Sequence, residues 1–431
     1  MTEIYSNLNN FSDSKLLLTL FPASNEYEFT DKKVFRSKKR VTCCGQECLH
    51  DGHDFIRKNG LGKAKVGKQL CKICKKQYHE DKSFWKKLLH QWQETITSLI
   101  LTLRDSHVAW EVVQKIMGFI LPFGKTKAIR LFNDRVEQFE YPQENYLIVN
   151  YDEQHPKKGR VQKFRLTLLN YKTRVPIADE LFDSKDDVTI EAFLRKHLDI
   201  NKEIVLITDC DRRYPTIFKK IWGKKVIHQK CLLHLNKLIV KDFGRNISFQ
   251  NMHNMYLLLN IFYDRKKELT FLERLLRKYG QKSFSTALQK KEWIKEQKKK
   301  FHDYVKRSEN ERRCKRQNLP QRSLAEAERV FSKLCLEKQY FSQKIQKRLL
   351  MIKENWDSFT AFYTVEGCPA TNNAVENFYS TSLKTHRKKQ LRTDKGILNQ
   401  MKLSAMKRVE SFSQPKKTVL EIYGLIQLIA S

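Results

Sequence analysis

Three acidic residues in this 431-residue chain stand where an apolar run ends or a polar helix begins. Asp152 closes the run YLIVNYD (146–152), Asp209 follows EIVLIT (203–208), and Glu376 lies in TNNAVENFYS (371–380). Carboxylates gathered at one edge of a fold repel, by about 4 kcal/mol for a pair ~4 Å apart at an effective dielectric of about 20. Such a pair takes up a proton or a cation. Three carboxylates offer hard oxygen ligands for two Mg²⁺ (or Mn²⁺) ions, and paired metals serve phosphodiester chemistry at both the attacking and the leaving oxygen. Each acid also has a plainer role. Strand-end aspartates form turns, Glu153 and Asp211 compete with their neighbours, and Asn373-x-x-Glu376 has the spacing of a helix capping box.

A second constellation is made of cysteines. Five of the ten fall between Cys43 and Cys74, in a lysine-rich stretch. Cys71-x2-Cys74 has the spacing of a zinc knuckle, whose two thiolates chelate one ion. The first knuckle is less regular: Cys43 or Cys44 pairs with Cys48, and His50 or His53 is a possible substitute. A tetrahedral structural Zn²⁺ would stabilise a module with little core of its own, and four protein ligands leave no open catalytic position. Clustering of this kind points to metal rather than disulfides and to a reducing compartment.

The elements around these residues divide the chain. Residues 1–40 form an arm ending in a basic run (Lys32, Lys33, Arg36, Lys38, Lys39, Arg40), and 41–82 hold the cysteine module. Over 83–142, Trp85, Leu88, Leu89, Trp92, Ile96, Leu99, Ile100 and Leu103 recur at helical spacing. A second helix follows Ser106 and a third spans roughly 126–139, an arrangement suited to a helix-turn-helix. From 143 to 244 the pattern reads β-β-β-α-β-α-β-α. Residues 146–152 are a strand, 161–169 a half-buried strand, 173–178 a third, and 203–208 a continuous apolar strand central in a parallel pairing. Helices at 215–222 and from Cys231 flank a strand at 225–229. Residues 245–360 show basic helical tracts without a convincing strand, and 361–431 return to the sheet domain with the Glu376 helix and C-terminal helices. The expected fold is a multidomain α+β or α/β chain whose mixed-sheet core, of the ribonuclease H-like order, carries an all-α insertion. Trp110, Trp222 and Trp293 are read as packing residues.

YDEQH (151–155), LITDCD (206–211), HQKCLLH (228–234) and TNNAVENFYS (371–380), taken in order, resemble the DDE transposases of prokaryotic insertion sequences, in particular those related to the Mutator-like group. The resemblance spans roughly residues 41–400, and the C-x2-H and N-N-x-x-E motifs are its most specific parts. It implies Asp152, Asp209 and Glu376 as the Mg²⁺-binding catalytic residues, with Cys231 and His234 organising the active site or the DNA end. It also implies a zinc ribbon followed by a helix-turn-helix at the front of the chain, with Cys43 and Cys48 as the first zinc pair and Cys71 and Cys74 as the second. The usual glycine after the second aspartate is Cys210 here.

Charge agrees with a nucleic-acid partner. Lys plus Arg is 83 and Asp plus Glu is 48, a formal net charge of +35. Hydrophobic residues at 40% and aromatics at 11% exclude a disordered polycation. This balance argues against a secreted disulfide scaffold and against a small-molecule enzyme with a neutral surface. Lys157 and Lys158 after Asp152, and Lys384, Arg387 and Lys388 after Glu376, are candidate phosphate contacts, provided the Glu376 helix persists. The expected partners are double-stranded DNA, at transposon ends and target, and further copies of the chain in a dimer or larger assembly. No apolar stretch reaches membrane-spanning length and no signal peptide is read, so a cytoplasmic, nucleoid-associated protein is expected. The competing functions are a catalytically inactive DNA-binding regulator and a structure-selective nuclease of the same fold.

Overall fold

Apolar strands bounded by polar turns assemble into one five-stranded mixed sheet in the computed structural model. The structure describes residues 93–412 apart from 121–123, 157–162, 245–246, 318, 385–390 and 392. Before residue 93 it describes 27–29, 35–37, 41–43, 46–48, 56–61, 67–72 and 75–79. The chain divides into two compact units: residues 141–390, and residues 1–140 together with 391–431.

In the first of these units the elements run β8 (Ile148–Gln154), β9 (Phe164–Asn170), β10 (Pro176–Phe182), α4 (Asp187–His197), β11 (Ile204–Thr208), α5 (Tyr214–Trp222), β12 (Val226–Lys230) and α6 (Leu232–Phe243). The spatial order is β10-β9-β8-β11-β12. β8, β9 and β10 form an antiparallel meander, whereas β11 lies parallel to both β8 and β12. All five residues of β11 are buried, as its apolar run and central position require.

β9 differs from the half-buried strand expected at 161–169. It begins at Phe164, and every residue from Arg165 to Asn170 is buried, because helices cover both faces of the sheet. On one face Val149, Tyr151, Leu166, Leu168, Ile204 and Leu206 pack with α4 and α5. Asp186 caps α4 by accepting the Thr189 N–H at 2.7 Å. Gly223, at φ 61°, ends α5 in a conformation that disfavours a side chain.

The other face is covered by α12 (Trp356–Thr364) and α13 (Asn373–Ser382). Val205 and Ile207 pack near Phe362 and Cys368, and Leu169 near Val375, Phe378 and Tyr379. Between the two layers of this unit, Arg165 and Asp179 form a fully buried bidentate pair, with bonds of 2.6 and 2.7 Å. Thr167 adds a third bond to Asp179 at 2.8 Å, so the buried carboxylate is well supplied with donors.

Residues 245–360 are helical as expected, with α7 (Phe249–Leu259), α8 (Lys266–Gln281), α9 (Ala287–Cys314), α10 (Leu324–Leu336) and α11 (Gln343–Glu354). Ser323 and Glu326 make a full capping box at the start of α10. Helix α12 begins before residue 360 and packs on β12, so it joins the sheet earlier than the expected boundary.

The second unit contains α1 (Gln93–Asp105), α2 (Trp110–Ile120) and α3 (Lys125–Glu137). They share a core of Ile96, Ile100, Val113, Met117, Leu131 and Phe132. The last described helix, α14 (Asp394–Arg408), inserts Leu403 and Met406 into this same core. It therefore departs from the sheet domain expected to hold residues 361–431. Its apolar residues form no single stripe, and buried Asn399 reaches the Asn133 side chain at 2.8 Å.

Ahead of the helices lie short antiparallel pairs. β1 (Tyr27–Phe29) joins β2 (Phe35–Ser37), and β3 (Val41–Cys43) joins β4 (Gln46–Cys48). A three-stranded sheet links β5 (Ile56–Leu61), β6 (Gly67–Cys71) and β7 (Gln77–His79). Part of the expected basic arm is thus a strand pair. Among the described residues no helix is long and apolar enough to cross a membrane.

Candidate active site

The parallel register of β8 and β11 determines where the first two acids lie. Ile207 is the Cα partner of Asn150. Asp209 and Asp152 each follow two residues later, at the same carboxyl-terminal edge and, with the two-residue side-chain period, on the same face of the sheet. That is the face covered by α13, which carries Glu376. Neighbouring parallel strands, a shared edge and a covering helix bring together three acids far apart in sequence.

Asn372 locks this helix to the strands. It is fully buried, and its side-chain amide donates to the Tyr151 carbonyl at 2.9 Å while accepting from Asn150 Nδ2 at 2.7 Å. Its backbone N–H donates to Cys231 Sγ at 3.2 Å. Cys231 stands between β12 and α6, its own N–H donating to the Thr208 carbonyl at 2.8 Å. Farther along α13, the Tyr379 hydroxyl donates to the Asp152 carbonyl at 2.7 Å.

The capping-box alternative is overturned by this arrangement. The N-cap is Asn372, whose side chain makes no cap bond because it serves β8, and Asn373 is already helical. The Glu376 carboxylate turns instead to α6, with Lys237 Nζ at 3.2 Å and His234 Nε2 at 3.7 Å.

Electrostatics ties the three acids into one group. Burial pushes the Asp152 pKa up to about 8; the Glu153 N–H, donating at 2.8 Å, opposes the rise, and the Asp209 and Glu376 charges reinforce it. Asp209 is raised too, mainly by burial, with the Asp211 N–H and His234 acting in the opposite direction. Burial lowers His234, and Lys237 lowers it further, while Asp209 and Glu376 pull it upward. The imidazole therefore sits within the field of both acids.

The competing acids are engaged elsewhere. Asp211 holds Arg213 at 2.9 Å; burial works to raise its pKa, but the Arg213 guanidinium and backbone N–H, with the Lys185 charge, leave it lowered. Glu153, on the opposite face from Asp152, accepts from the Tyr214 hydroxyl at 3.1 Å and pairs with Lys185 at 3.0 Å.

The donor set of Asp152, Asp209 and Glu376 consists of carboxylate oxygens, which suit a hard divalent cation, and their mutual repulsion is what such a cation relieves. Among the described residues, however, no group of three or more His, Cys, Asp or Glu side chains stands close enough to hold a metal ion as it is. Glu376 is drawn toward Lys237 and His234.

Lys384 is exposed and lies beyond the end of α13, which stops at Ser382. Lys157, Lys158, Arg387, Lys388 and Cys74 lie outside the described residues. Cys43 ends β3 and Cys48 ends β4, in register with Gln46 and Val41 respectively. Cys71 is buried at the end of β6, where its N–H donates to the Lys76 carbonyl and its carbonyl accepts from Lys75, both at 3.0 Å.

Asn150, Tyr379 and Lys237 join the candidate site from outside the residues that the sequence singles out, and Asn372, part of the N-N-x-x-E motif, has a role its sequence context does not show. A polar residue inside the apolar run 146–152 was the available signal for Asn150, and the i, i+3 spacing from His234 was that for Lys237. Lys230 was also missed; buried opposite Thr208, it donates to Asn355 Oδ1 at 2.7 Å. No protein-family model matches the chain, and no curated protein matches it.

Proposed function

We propose that the chain is a metal-dependent DNA transposase of the DDE type, which cleaves phosphodiester bonds at transposon ends and transfers the freed 3′ end to target DNA. The observation that carries this reading is the register of β8 and β11 beneath α13, which sets Asp152, Asp209 and Glu376 on one face at one sheet edge. The element order β-β-β-α-β-α-β-α and the strand order β10-β9-β8-β11-β12 support a ribonuclease H-like core. The α1–α3 bundle supports a helix-turn-helix, and Cys71 at a hairpin turn supports a zinc ribbon completed by Cys43, Cys48 and Cys74.

Asp152, Asp209 and Glu376 would hold Mg²⁺ or Mn²⁺, which supplies charge neutralisation at the scissile phosphate and a lowered pKa for the attacking hydroxyl. The protein's own share is positional. Asn372 and Tyr379 hold α13 against β8, and Cys231 couples that anchor to the strand end bearing Asp209. His234 and Lys237 place positive or neutral groups beside Glu376. The net charge of +35 suits duplex DNA as partner and a nucleoid-associated location, and the joining of two ends calls for a dimer or larger assembly.

One observation favours a second reading. Glu376 paired with Lys237 also fits a DNA-binding regulator without catalysis. Incubating the purified full chain with a labelled end duplex and Mg²⁺ or Mn²⁺ separates the possibilities. Cleavage with joining supports the transposase, cleavage alone the nuclease, and binding alone the regulator. Full activity in both Asp209→Ala and Glu376→Ala would overturn the site.

A further inference from the structure

Helix α9 is the longest described helix of its unit and buries fully only Phe301 along its 28 residues. At 100° per residue, Lys291, Lys295, Lys299, Lys306 and Arg313 fall within a sector of about 80°, centred about 120° round the helix from Phe301. All five are exposed. The spacing 291, 295, 299, 306, 313 keeps one line for ~33 Å at 1.5 Å per residue, about one turn of B-form duplex.

An ordinary solvated helix face offsets such lysines with acids one turn away. Here Glu292, Glu296, Asp303 and Glu309 stand three or four residues from Lys295, Lys299, Lys306 or Arg313, yet the ion pair that forms on this helix, Lys300–Glu296 at 2.7 Å, includes none of the five. Among the described residues none of the five cations holds an ion pair, although Glu309 stands at the edge of their sector. Like charges at i, i+4, as in Lys291–Lys295–Lys299, destabilise the isolated helix.

We infer that this face of α9 is a track for the sugar-phosphate backbone of duplex DNA. A regular row of cations without aromatic anchors matches a uniform polyanion. Protein interfaces instead centre on buried apolar and aromatic residues, and among the described residues this row carries only the exposed Leu288 at its start and the exposed His302 imidazole. The track requires no chemistry at Asp152, Asp209 or Glu376 and stands whether or not the chain cleaves DNA.

Full-length protein and its Lys291, Lys295, Lys299, Lys306 and Arg313→Gln variant are compared for binding to an arbitrary duplex across a salt series without divalent ions. Glutamine keeps helix propensity close to that of lysine. The slope of log K against log salt should fall by about 2–4, at about 0.9 for each phosphate that the variant leaves without its cation. Paired variants, Lys291/Lys295→Gln and Lys306/Arg313→Gln, should each lower it by about 1–2 and guard against misfolding of the fivefold change. A control neutralising exposed Lys219, Lys224, Lys333, Lys338 and Lys353 carries the same charge loss. Equal slopes for stripe and control variants, an unchanged slope in the paired variants, or stronger competition by polyglutamate than by duplex would each overturn the inference.

Discussion

The backbone N–H of Asn372 donates to the sulfur of Cys231 at 3.2 Å, and this bond couples the helix carrying Glu376 to the strand end carrying Asp209. It gives the C-x2-H motif a physical role: the cysteine is an acceptor at a junction, and three residues on, His234 reaches Glu376. Replacing Cys231 with Ala leaves a buried donor unpaired, at a cost of about 1–3 kcal/mol. Denaturant unfolding of Cys231→Ala should show this loss, and Cys231→Ser, which retains an acceptor, should recover part of it.

Asp152, Asp209 and Glu376 raise one another's energy in the absence of a cation. Titrating Mg²⁺ should therefore raise the melting temperature, by about 2.7 kcal/mol of stability at a hundred times the dissociation constant. Asp152→Asn, Asp209→Asn and Glu376→Gln should each weaken that response and lower cleavage at least a hundredfold while the fold persists. A full Mg²⁺ response in all three variants would overturn the proposed metal site.

In the proposed metal site, Lys237 would compete with the cation for Glu376. Its ammonium is largely exposed, so Lys237→Ala should change stability by less than about 1 kcal/mol. The same variant should reduce several-fold the Mg²⁺ concentration needed for half of the thermal shift. An increased requirement would instead make Lys237 a helper of the metal site.

The acid response of the fold should depend on His228. Burial holds its pKa down to about 3. Thr208 donates its hydroxyl to the Asp209 carbonyl at 2.8 Å, so the His228 Nε2, also at 2.8 Å, must donate to that hydroxyl. The folded-state pKa is below the unfolded value near 6.5. This contribution to stability is therefore complete above about pH 6.5 and is lost as pH falls toward 3, at about 1 kcal/mol per unit. Unfolding free energies measured between pH 7 and 4 should fall more gently in His228→Gln.

Helix α14 should prove integral to the α1–α3 bundle. Leu403 is fully buried in that core, and Leu403→Ala should cost about 2–5 kcal/mol of its stability. Protease protection of α1–α3 should fall in step.

Much of the sheet unit could be read from the residues alone. The continuous apolar run 203–208 announces a strand buried on both faces, and period and turn residues place the helices after Asp209 and Cys231 within a residue or two. These features are local: alternation, amphipathic spacing and capping residues act within one or two turns of the chain. The three acids were also identifiable, because each stands at the end of such a pattern or, in Glu376, in a distinct motif.

Tertiary structure alone decided what those acids face. The pairing of Ile207 with Asn150 sets Asp209 beside Asp152, yet strand register depends on contacts between segments far apart in sequence. That Asn372 spends its amide on β8 rather than on a helix cap, and that Glu376 turns to Lys237, follows from where α13 docks. The membership of α14 in the α1–α3 core was hidden for the same reason, since its packing partners lie more than two hundred residues earlier. Local periodicity specifies an element; only the packed chain specifies which buried polar groups must satisfy one another, and here that requirement positions the site.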